Sequence, residues 1–391
     1  MKLSKSTLGD ISKDGRGYYG IAASAVPFSS CLYTYLRITD INDDGTLNAT
    51  DLKSVADDDA MHYLLKPNDI VFARTGASTG RNYFYDGTDG ELVYAGFLIK
   101  FSIDPQKVNP RFVKYYCQSK TYYNWIESFN TGSTRGNINA QTLASMPIYL
   151  PEREYQDRVV SILDSIERKK RENSLINDNL EQQAQAMVSE YAERTLYSSV
   201  FSDIMNFDNG FAFQSSTYLP SGKYKIITIK NVQDGYIDST GSAFIDSLPQ
   251  RMKDNCILNI GDVLLSLTGN VGRVGIVCEE NLLLNQRVAK IVPIDNKLLP
   301  FLYFVFRQSG IKTKLETIAK GTAQLNLSPI ETLKLTIPYE ERSAVQLSQQ
   351  LEPLYRKIIN NNQESYSFAL LRDTLLPKLM SGEIDVSAVQ L

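Results

Sequence analysis

Residues 67–76 read Pro-Asn-Asp-Ile-Val-Phe-Ala-Arg-Thr-Gly, and residues 260–269 read Ile-Gly-Asp-Val-Leu-Leu-Ser-Leu-Thr-Gly. In both stretches an aspartate precedes an apolar run, and the run is followed by Thr-Gly. The aspartate and the glycine recur at the same spacing of 193 residues. A Gly-Arg pair follows each stretch, at residues 80–81 and 272–273. The chain therefore contains one motif twice, and such a repeat has to be interpreted before any other feature.

Two further features follow in the same order in both halves. Residues 131–139 (Thr-Gly-Ser-Thr-Arg-Gly-Asn-Ile-Asn) resemble residues 320–328 (Lys-Gly-Thr-Ala-Gln-Leu-Asn-Leu-Ser). Ile-Tyr-Leu-Pro-Glu at 148–152 then parallels Leu-Thr-Ile-Pro-Tyr-Glu at 335–340. A single matching pair could arise by chance, but four pairs in one order indicate a tandem duplication.

The regions around these motifs mix strand and helix signals. Residues 33–38 and 223–229 are rich in β-branched and aromatic residues, and each is followed by an Asp-Gly turn, which predicts short strands. Residues 110–127 and 300–320 are rich in apolar and aromatic residues and predict short helices. Each half is therefore expected to form an α+β globule.

The segment that follows each proline predicts a long helix. Residues 152–197 contain neither proline nor glycine. Apolar residues recur at steps of three and four, which is typical of a coiled coil; they are Val159, Ile162, Ile166, Ile176, Leu180 and Met187 in the first helix, and Leu347, Leu351, Leu354, Ile358, Phe368, Leu375 and Leu379 in the second. A helix packed on its own globule is the alternative.

Polar and proline residues interrupt this pattern. Four polar residues are expected in the seam between the helices, where buried polar groups fix register: Lys169, Asn173, Asn361 and Ser365. Pro353 is expected to kink or restart the second helix. Pro377 is expected to stop that helix near Leu376.

The repeat predicts two similar globular α/β domains, separated by two long helices that form an antiparallel coiled coil about a pseudo-two-fold axis. About 40 helical residues would make a rod of about 60 Å. The predicted order is a first globular domain at 1–151, a long helix at 152–197, a second globular domain at 198–338, a second long helix at 339–380 and a C-terminal tail at 381–391.

Composition excludes several classes of site. The chain has one histidine, His62, so neither a zinc site built on histidines nor a Ser-His-Asp triad in both halves is possible. Its four cysteines do not lie at metal-ligand spacing, and we expect no metal. No apolar run is long enough to cross a bilayer and no secretory signal is present, which predicts a cytoplasmic protein without membrane contact. The net charge of −3 argues mildly against nucleic-acid binding, although a partner can supply cations.

The polar loops of the repeat are nevertheless the best candidates for contact with DNA, because phosphates attract cations and hydroxyls and base edges suit Arg, Asn, Gln and Lys. The predicted DNA-binding residues are Arg74, Thr75, Gly76, Ser78, Thr79, Arg81, Asn82, Arg135, Asn137, Asn139 and Gln141 in the first half, and Lys230, Ser266, Thr268, Gly269, Asn270, Arg273, Lys320, Thr322, Gln324 and Asn326 in the second. Tight turns with solvated tips, and helix capping by the asparagines, are the alternatives.

The whole arrangement resembles the specificity subunits of type I restriction-modification systems. The repeated Gly-Asp-Val-Leu and Thr-Gly pieces, the Asn loops and the proline-acidic helix starts are similar to that family's signatures. Residues 375–384, Leu-Leu-Pro-Lys-Leu-Met-Ser-Gly-Glu-Ile, resemble its characteristic ending. The resemblance covers essentially the whole chain.

This resemblance implies a non-catalytic subunit that reads double-stranded DNA. Each globule would be a target recognition domain that reads one half of a bipartite DNA target, and the helices would hold the two domains apart and bind two DNA adenine-methyltransferase subunits. Restriction-translocase subunits would complete the complex. S-adenosylmethionine and ATP would be bound by those partners, so this chain is expected to hold no cofactor.

Two other interpretations remain open at this point. A fused methyltransferase would need an Asn/Asp-Pro-Pro-aromatic motif, and residues 109–112 (Asn-Pro-Arg-Phe) lack the second proline. No Walker loop is visible either. A coiled-coil scaffold that binds only protein partners would explain the helices and the charge, but it would not explain why both globules carry similar polar glycine loops.

Overall fold

The chain folds into two compact units in a computed structural model that describes residues 3–129, 137–321 and 325–386. The first unit consists of Met1–Ile166 together with Leu371–Leu391, and the second unit of Glu167–Leu370. These divisions fall inside the long helices, whereas the predicted domain boundaries follow the helix ends, so those boundaries stay predictions.

Within its described residues, the first unit contains ten strands, which form three sheets. The strands are β1 (Ser4–Thr7), β2 (Tyr18–Tyr19), β3 (Ala25–Pro27), β4 (Tyr33–Leu36), β5 (Lys53–Val55), β6 (Asp69–Ala73), β7 (Asn82–Tyr85), β8 (Leu92–Tyr94), β9 (Leu98–Ser102) and β10 (Pro147–Leu150). The sheets have the orders β1-β10, β2-β9-β6-β7 and β3-β5-β4-β8.

In the part of the second unit that the structure describes, eleven strands form three sheets. The strands are β11 (Ser198–Val200), β12 (Met205–Asn209), β13 (Tyr224–Ile227), β14 (Gly235–Tyr236), β15 (Ala243–Ile245), β16 (Ile257–Leu258), β17 (Val263–Ser266), β18 (Val274–Ile276), β19 (Leu282–Leu284), β20 (Val288–Pro293) and β21 (Thr336–Pro338). The sheets have the orders β11-β21, β12-β20-β17-β18-β14 and β15-β13-β19-β16.

Both units share the central part of their sheet topology. The antiparallel series β2-β9-β6-β7 corresponds to β12-β20-β17-β18, and the parallel pair β4-β8 corresponds to β13-β19. The apolar runs 70–73 and 263–265 of the duplicated motif are wholly buried central strands, which explains why they read as continuous apolar stretches. The predicted internal repeat of two α+β globules is therefore confirmed.

Short helices close one side of each core. They are α1 (Pro110–Tyr116), α2 (Lys120–Glu127) and α3 (Ala140–Ala144) in the first unit, and α5 (Leu299–Phe306), α6 (Ser309–Ile318) and α7 (Pro329–Leu333) in the second. The two helices predicted at 110–127 and 300–320 are thus two helix pairs. The aromatic residues of α1 and α5 pack into the largest apolar cluster of their own unit.

The two long helices are α4 (Arg153–Arg194) and α8 (Glu341–Ser381). Within the second unit they run antiparallel, because Asn173 contacts Ser365 while Tyr191 contacts Glu340. Within the first unit the Tyr155 hydroxyl donates to the carbonyl oxygen of Leu379 at 3.0 Å. The predicted antiparallel pair of long helices is confirmed.

A layer of asparagines lies between the helices in the second unit. Asn361 donates to Oδ1 of Asn177 at 2.8 Å, and Asn177 donates to Oδ1 of Asn362 at 2.8 Å. Asn173 and Asn361 are buried as predicted. The prediction is wrong for Ile176, which is 41% exposed, and Lys169 is also exposed. Amide pairing replaces apolar packing at this level.

The predicted effects of the two prolines are wrong in part. α8 continues without interruption through Pro353 and Pro377 as far as Ser381. Each proline removes one backbone hydrogen bond, but the flanking apolar residues Leu351, Tyr355, Leu376 and Leu379 are buried in the cores. This packing holds both segments in the helical conformation.

None of the helices in the described part of the chain combines the length and the apolar character that a membrane crossing requires.

Candidate nucleic-acid interface

The duplicated Thr-Gly motif forms a tight turn in each unit, which we call the Gly turn (residues 74–80 and 267–272). It connects two antiparallel neighbours, β6 to β7 and β17 to β18. Gly76 and Gly269 both have a φ of +75°, a conformation that glycine adopts without strain. The first glycine of each motif is therefore needed for backbone geometry.

The second predicted loop, which we call the Asn loop (residues 137–139 and 326–328), pairs with the Gly turn in both units. Thr75 bridges Asn137, and Thr268 bridges Asn326. The amide of Ile138 donates to the carbonyl oxygen of Arg74 at 3.0 Å, and the amide of Leu327 donates to that of Leu267 at 2.7 Å. The structure therefore brings together two loops that lie about 60 residues apart in sequence.

A third loop, which sequence analysis missed, completes the arrangement. This linking loop (residues 95–98 and 285–288) joins β8 to β9 and β19 to β20. Its carbonyls at Phe97 and Arg287 each accept a hydrogen bond at 3.1 Å from the Gly turn, from the amides of Arg74 and Leu267. Its tips carry exposed side chains of different chemistry, Phe97 in the first unit and Arg287 in the second.

The signal that could have found the linking loop is a weaker repeat at a spacing of 190 residues. Leu-Val-Tyr at 92–94 and Leu-Leu-Leu at 282–284 are followed, six residues after the last of each, by Lys100 and Lys290. These lysines form equivalent ion pairs with the aspartates of the duplicated motif, at 3.5 Å to Asp69 and 3.6 Å to Asp262. Burial raises the pKa of Asp262, and Lys290 opposes that shift.

Two glycines allow another segment to approach the linking loop. A Cβ atom on Gly20 would lie 2.2 Å from the carbonyl oxygen of Ala95, and one on Gly210 would lie 2.3 Å from the backbone of Asn285. Only glycine fits at such distances. The same backbone contact therefore supports the linking loop in both units.

Many predicted residues lie on or beside these loops with accessible side chains or backbone. Exposed positions are Asn137, Asn139, Gln141, Lys230, Gly269, Asn270, Lys320 and Asn326, and half-buried positions are Arg74, Thr75, Gly76, Ser78, Thr79, Arg81 and Arg273. Lys230 stands apart, since its loop (residues 230–236) reaches the Gly turn through Gln233, which accepts a hydrogen bond from Arg273 at 2.9 Å.

Three predicted residues are buried inside the fold. The Asn82 side chain is 2% exposed and donates to the carbonyl oxygen of Cys117 at 2.8 Å. Ser266 donates to the carbonyl oxygen of Thr268, and Thr268 donates to Oδ1 of Asn326 at 2.9 Å. These side chains fasten the turns from within, so they do not belong to the exposed candidate surface.

Other predicted residues have structural partners that occupy part of their hydrogen-bonding capacity. Arg81 forms an ion pair with Asp43 at 2.6 Å. Asn139 caps α3 by accepting from the amide of Thr142 at 2.8 Å, so the capping alternative is correct for this asparagine. Arg135, Thr322 and Gln324 lie outside the described residues.

The chemistry of the surface is that of recognition. It presents amides, hydroxyls, cations and backbone groups on rigidly linked loops, which suits phosphates and base edges. Across residues 3–129, 137–321 and 325–386, no group of three or more His, Cys, Asp or Glu side chains is arranged to hold a metal ion.

Comparison with known proteins gives two kinds of match. The family model described as "Type I restriction modification DNA specificity domain" matches residues 20–182 and again residues 198–366. The chain is 24% identical over 306 residues to the type I restriction enzyme MjaIX specificity subunit of Methanocaldococcus jannaschii, covering 70% of this chain and 69% of that protein. It is 22% identical over 407 residues to the HindI specificity subunit of Haemophilus influenzae, with 82% and 87% covered.

A solved structure shares the fold. It is the S subunit of a type I restriction-modification system from M. genitalium, with a TM-score of 0.54 at 17% identity, and the match covers 97% of this chain and 96% of that chain. This likeness concerns the fold alone. The family model, by contrast, matches most of the sequence in two successive copies that coincide with the structural repeat, and the chain therefore belongs to the type I restriction modification DNA specificity domain family.

Proposed function

We propose that this chain is the subunit that reads a bipartite DNA target, with one half-site for each unit. The observation that carries the proposal is the convergence of the same three loops in both units, with different exposed side chains at equivalent positions. Identical backbone support with different tips is what two readers of two different half-sites require. The specificity role of the named relatives supports the proposal.

The electrostatics favour recognition by a complex over recognition by the free chain. The chain carries 41 Lys and Arg against 44 Asp and Glu, and phosphate neutralisation supplies much of the affinity of DNA-binding proteins. Several loop cations are also already paired within the protein. Partner subunits therefore have to contribute cations, and the loops of this chain contribute the choice of sequence.

The long helices are the proposed docking surface for two DNA adenine-methyltransferase subunits. In the second unit Leu175, Ile176 and Leu370 are large apolar side chains that lie exposed on these helices, and exposed apolar residues of this kind are typical of protein interfaces. Restriction-translocase subunits would join the complex. S-adenosylmethionine and ATP would be bound by those partners, and this cytoplasmic chain would contribute no catalytic group.

The test is to express the chain with its methyltransferase partner and to map methylated adenines across the host genome. We expect a single motif with two specified half-sites and a gap of fixed length. Gel shifts should show tight, salt-sensitive binding by the complex and weak binding by the free chain. A complex that forms but shows no sequence preference would instead identify a scaffold that binds only proteins, and methylation by the purified chain alone would contradict the non-catalytic role.

A further inference from the structure

Arg74 differs from the other arginines of the two Gly turns. Its amide donates to the carbonyl oxygen of Phe97 at 3.1 Å, and its carbonyl oxygen accepts from the amide of Ile138 at 3.0 Å. Its backbone is thus fixed on one side by the linking loop and on the other by the Asn loop. Arg74 lies where all three loops of the first unit meet.

The side chain of Arg74 is oriented by an aromatic ring. The guanidinium carbon lies 5.0 Å from the centre of the Tyr19 ring. Tyr19 is in turn held in place, because its hydroxyl oxygen accepts a hydrogen bond from the amide of Ala140 at 3.2 Å. Stacking on an aromatic face is a preferred arrangement for the planar guanidinium group, and it restricts the orientation of the fork.

The hydrogen-bonding capacity of Arg74 is not used within the described residues. Its Nε atom is buried and has no hydrogen-bond partner there. By contrast, Arg81 is paired with Asp43, and Arg273 donates to Gln233. A desolvated donor without a partner costs free energy, and a ligand that supplied an acceptor would remove that cost.

A pre-oriented guanidinium fork matches the edge of guanine. Its two parallel donors suit the O6 and N7 acceptors in the major groove, and this is the commonest specific contact between a side chain and a base. A phosphate group can also accept from such a fork, but a phosphate contact positions the protein without selecting a base, so the two contacts predict different effects of substitution. We infer that Arg74, stacked on Tyr19, is a specificity-determining residue that recognises a guanine in the half-site read by the first unit; this inference rests on the proposed function.

The second unit cannot make this contact from its Gly turn. The position equivalent to Arg74 is Leu267, which is buried, and the position equivalent to Tyr19 is Asn209. In the second unit an exposed arginine, Arg287, lies on the linking loop instead. The inferred guanine contact from the Gly turn therefore belongs to one half-site only.

The test compares Arg74→Ala and Arg74→Lys in the complete complex by mapping methylated adenines. We expect Arg74→Ala to relax one position of one half-site, from guanine to any base, with discrimination reduced by between about 5-fold and 150-fold. Arg74→Lys keeps the positive charge and the aliphatic stem, so we expect this variant to fold even if Arg74→Ala does not. It should retain overall affinity but lose part of the preference for guanine, because an ammonium lacks the planar fork.

Arg16→Ala is the matched control. Arg16 lies 5.0 Å above the ring of Tyr18 in the same unit, but its Nε atom donates to the Tyr18 hydroxyl at 3.0 Å. Its loss should leave the motif unchanged. Tyr19→Leu, which removes the stacking partner, should weaken the preference for guanine at the same position as Arg74→Ala.

Three results would overturn the inference. One is a wild-type motif in which neither half-site contains a guanine. Another is an unchanged motif for Arg74→Ala, and the third is a uniform loss of methylation without relaxation at one position, which would identify a phosphate contact. In the last two cases the wild-type complex would still give a bipartite motif, so the proposed function would stand. A wild-type complex without any sequence preference would refute the proposed function itself.

Discussion

At the scale of single residues, the two units share the groups that hold the loop backbones and differ in the side chains that the loops expose. Gly20 and Gly210, Thr75 and Thr268, and the two Asp-Lys ion pairs are found in both units and fix the backbone of the loops. The side chains at the exposed tips differ. Phe97 corresponds to Arg287, and a stacked arginine in one unit corresponds to a buried leucine in the other.

The cysteines provide a residue-level test of the structure. Cys31 is exposed, whereas Cys117, Cys256 and Cys278 are buried, and burial raises the pKa of Cys278 to about 12. Because the thiolate is the reactive form, we expect one thiol in the folded protein to react rapidly with Ellman's reagent at pH 8, and four in denaturant. The variant Cys31→Ser should show no rapid reaction. Rapid reaction of that variant would show that a core is open.

At the scale of secondary-structure elements, the asparagine layer of the long helices is the feature that simple periodicity describes least well. A buried amide network stabilises only when its members are satisfied. Removal of one member leaves the others without partners, whereas removal of two partners together can be nearly neutral. This difference makes the network testable by substitution.

We predict that Asn361→Leu lowers the free energy of unfolding by about 0.5–1.5 kcal/mol, because it removes the donor to Asn177 and leaves the half-buried amide oxygen of Asn177 without this partner. Urea unfolding measures the change. Asn360→Leu, on the exposed side of α8, should change stability by less than about 0.5 kcal/mol. The double variant Asn177→Leu/Asn361→Leu should lose less than the sum of the two single variants. Equal stability of Asn361→Leu and Asn360→Leu would show that the amide pair contributes nothing.

The elements that could be predicted from the sequence are those in which the same residue types occur in both halves of the chain. The Gly turn and the Asn loop carry glycine, threonine and asparagine in both halves, so the equivalent loops of the two halves could be identified from the chain, whereas the pairing of one loop with the other could not. The linking loop was not predicted, because its tip residues, Phe97 and Arg287, are of different types. Asn82 and Ser266 were predicted to contact DNA but are buried. The polar residue types that stabilise a turn from inside are the same as those exposed on its surface, so the sequence does not distinguish them.

The prolines of α8 show a second limit of local patterns. Proline lowers helix stability by about 3 kcal/mol, and a local pattern therefore predicts a break at Pro377. Burial of Leu376 and Leu379 offsets this cost, since a fully buried leucine contributes about 1.5–3 kcal/mol. Such tertiary contacts involve residues far away in sequence, which a single chain without its fold does not reveal.

At the scale of the whole molecule, the first unit is built from two separate stretches of chain. Val386 is buried in the same apolar cluster as Leu8. The Tyr155 hydroxyl donates to the carbonyl oxygen of Ile384 at 3.1 Å, and Arg158 donates to that of Val386 at 3.1 Å. The second unit is formed entirely by the chain between these stretches.

A chain that ends at Leu370 should therefore lose stability in the first unit alone. The deletion removes Leu376, Leu379 and Val386 from that core, each contributing about 1.5–3 kcal/mol. Hydrogen exchange should show loss of protection in β6 and β9, while β17 and β20 keep theirs. A chain that ends at Val386 is the control. Unchanged protection of β6 and β9 in the shorter chain would contradict the division into these two units.

The shared loop framework bears on how such a protein changes during evolution. Because backbone hydrogen bonds and closely packed glycines hold the three loops, and the tip side chains do not, we expect replacement of a tip residue such as Phe97 to change the folding free energy little. Substitutions at the loop tips are therefore independent of the residues that hold the loop backbones. One unit can accumulate such substitutions while the other unit stays unchanged. A lineage with this architecture can acquire a new target in single steps, each of which yields an intact protein.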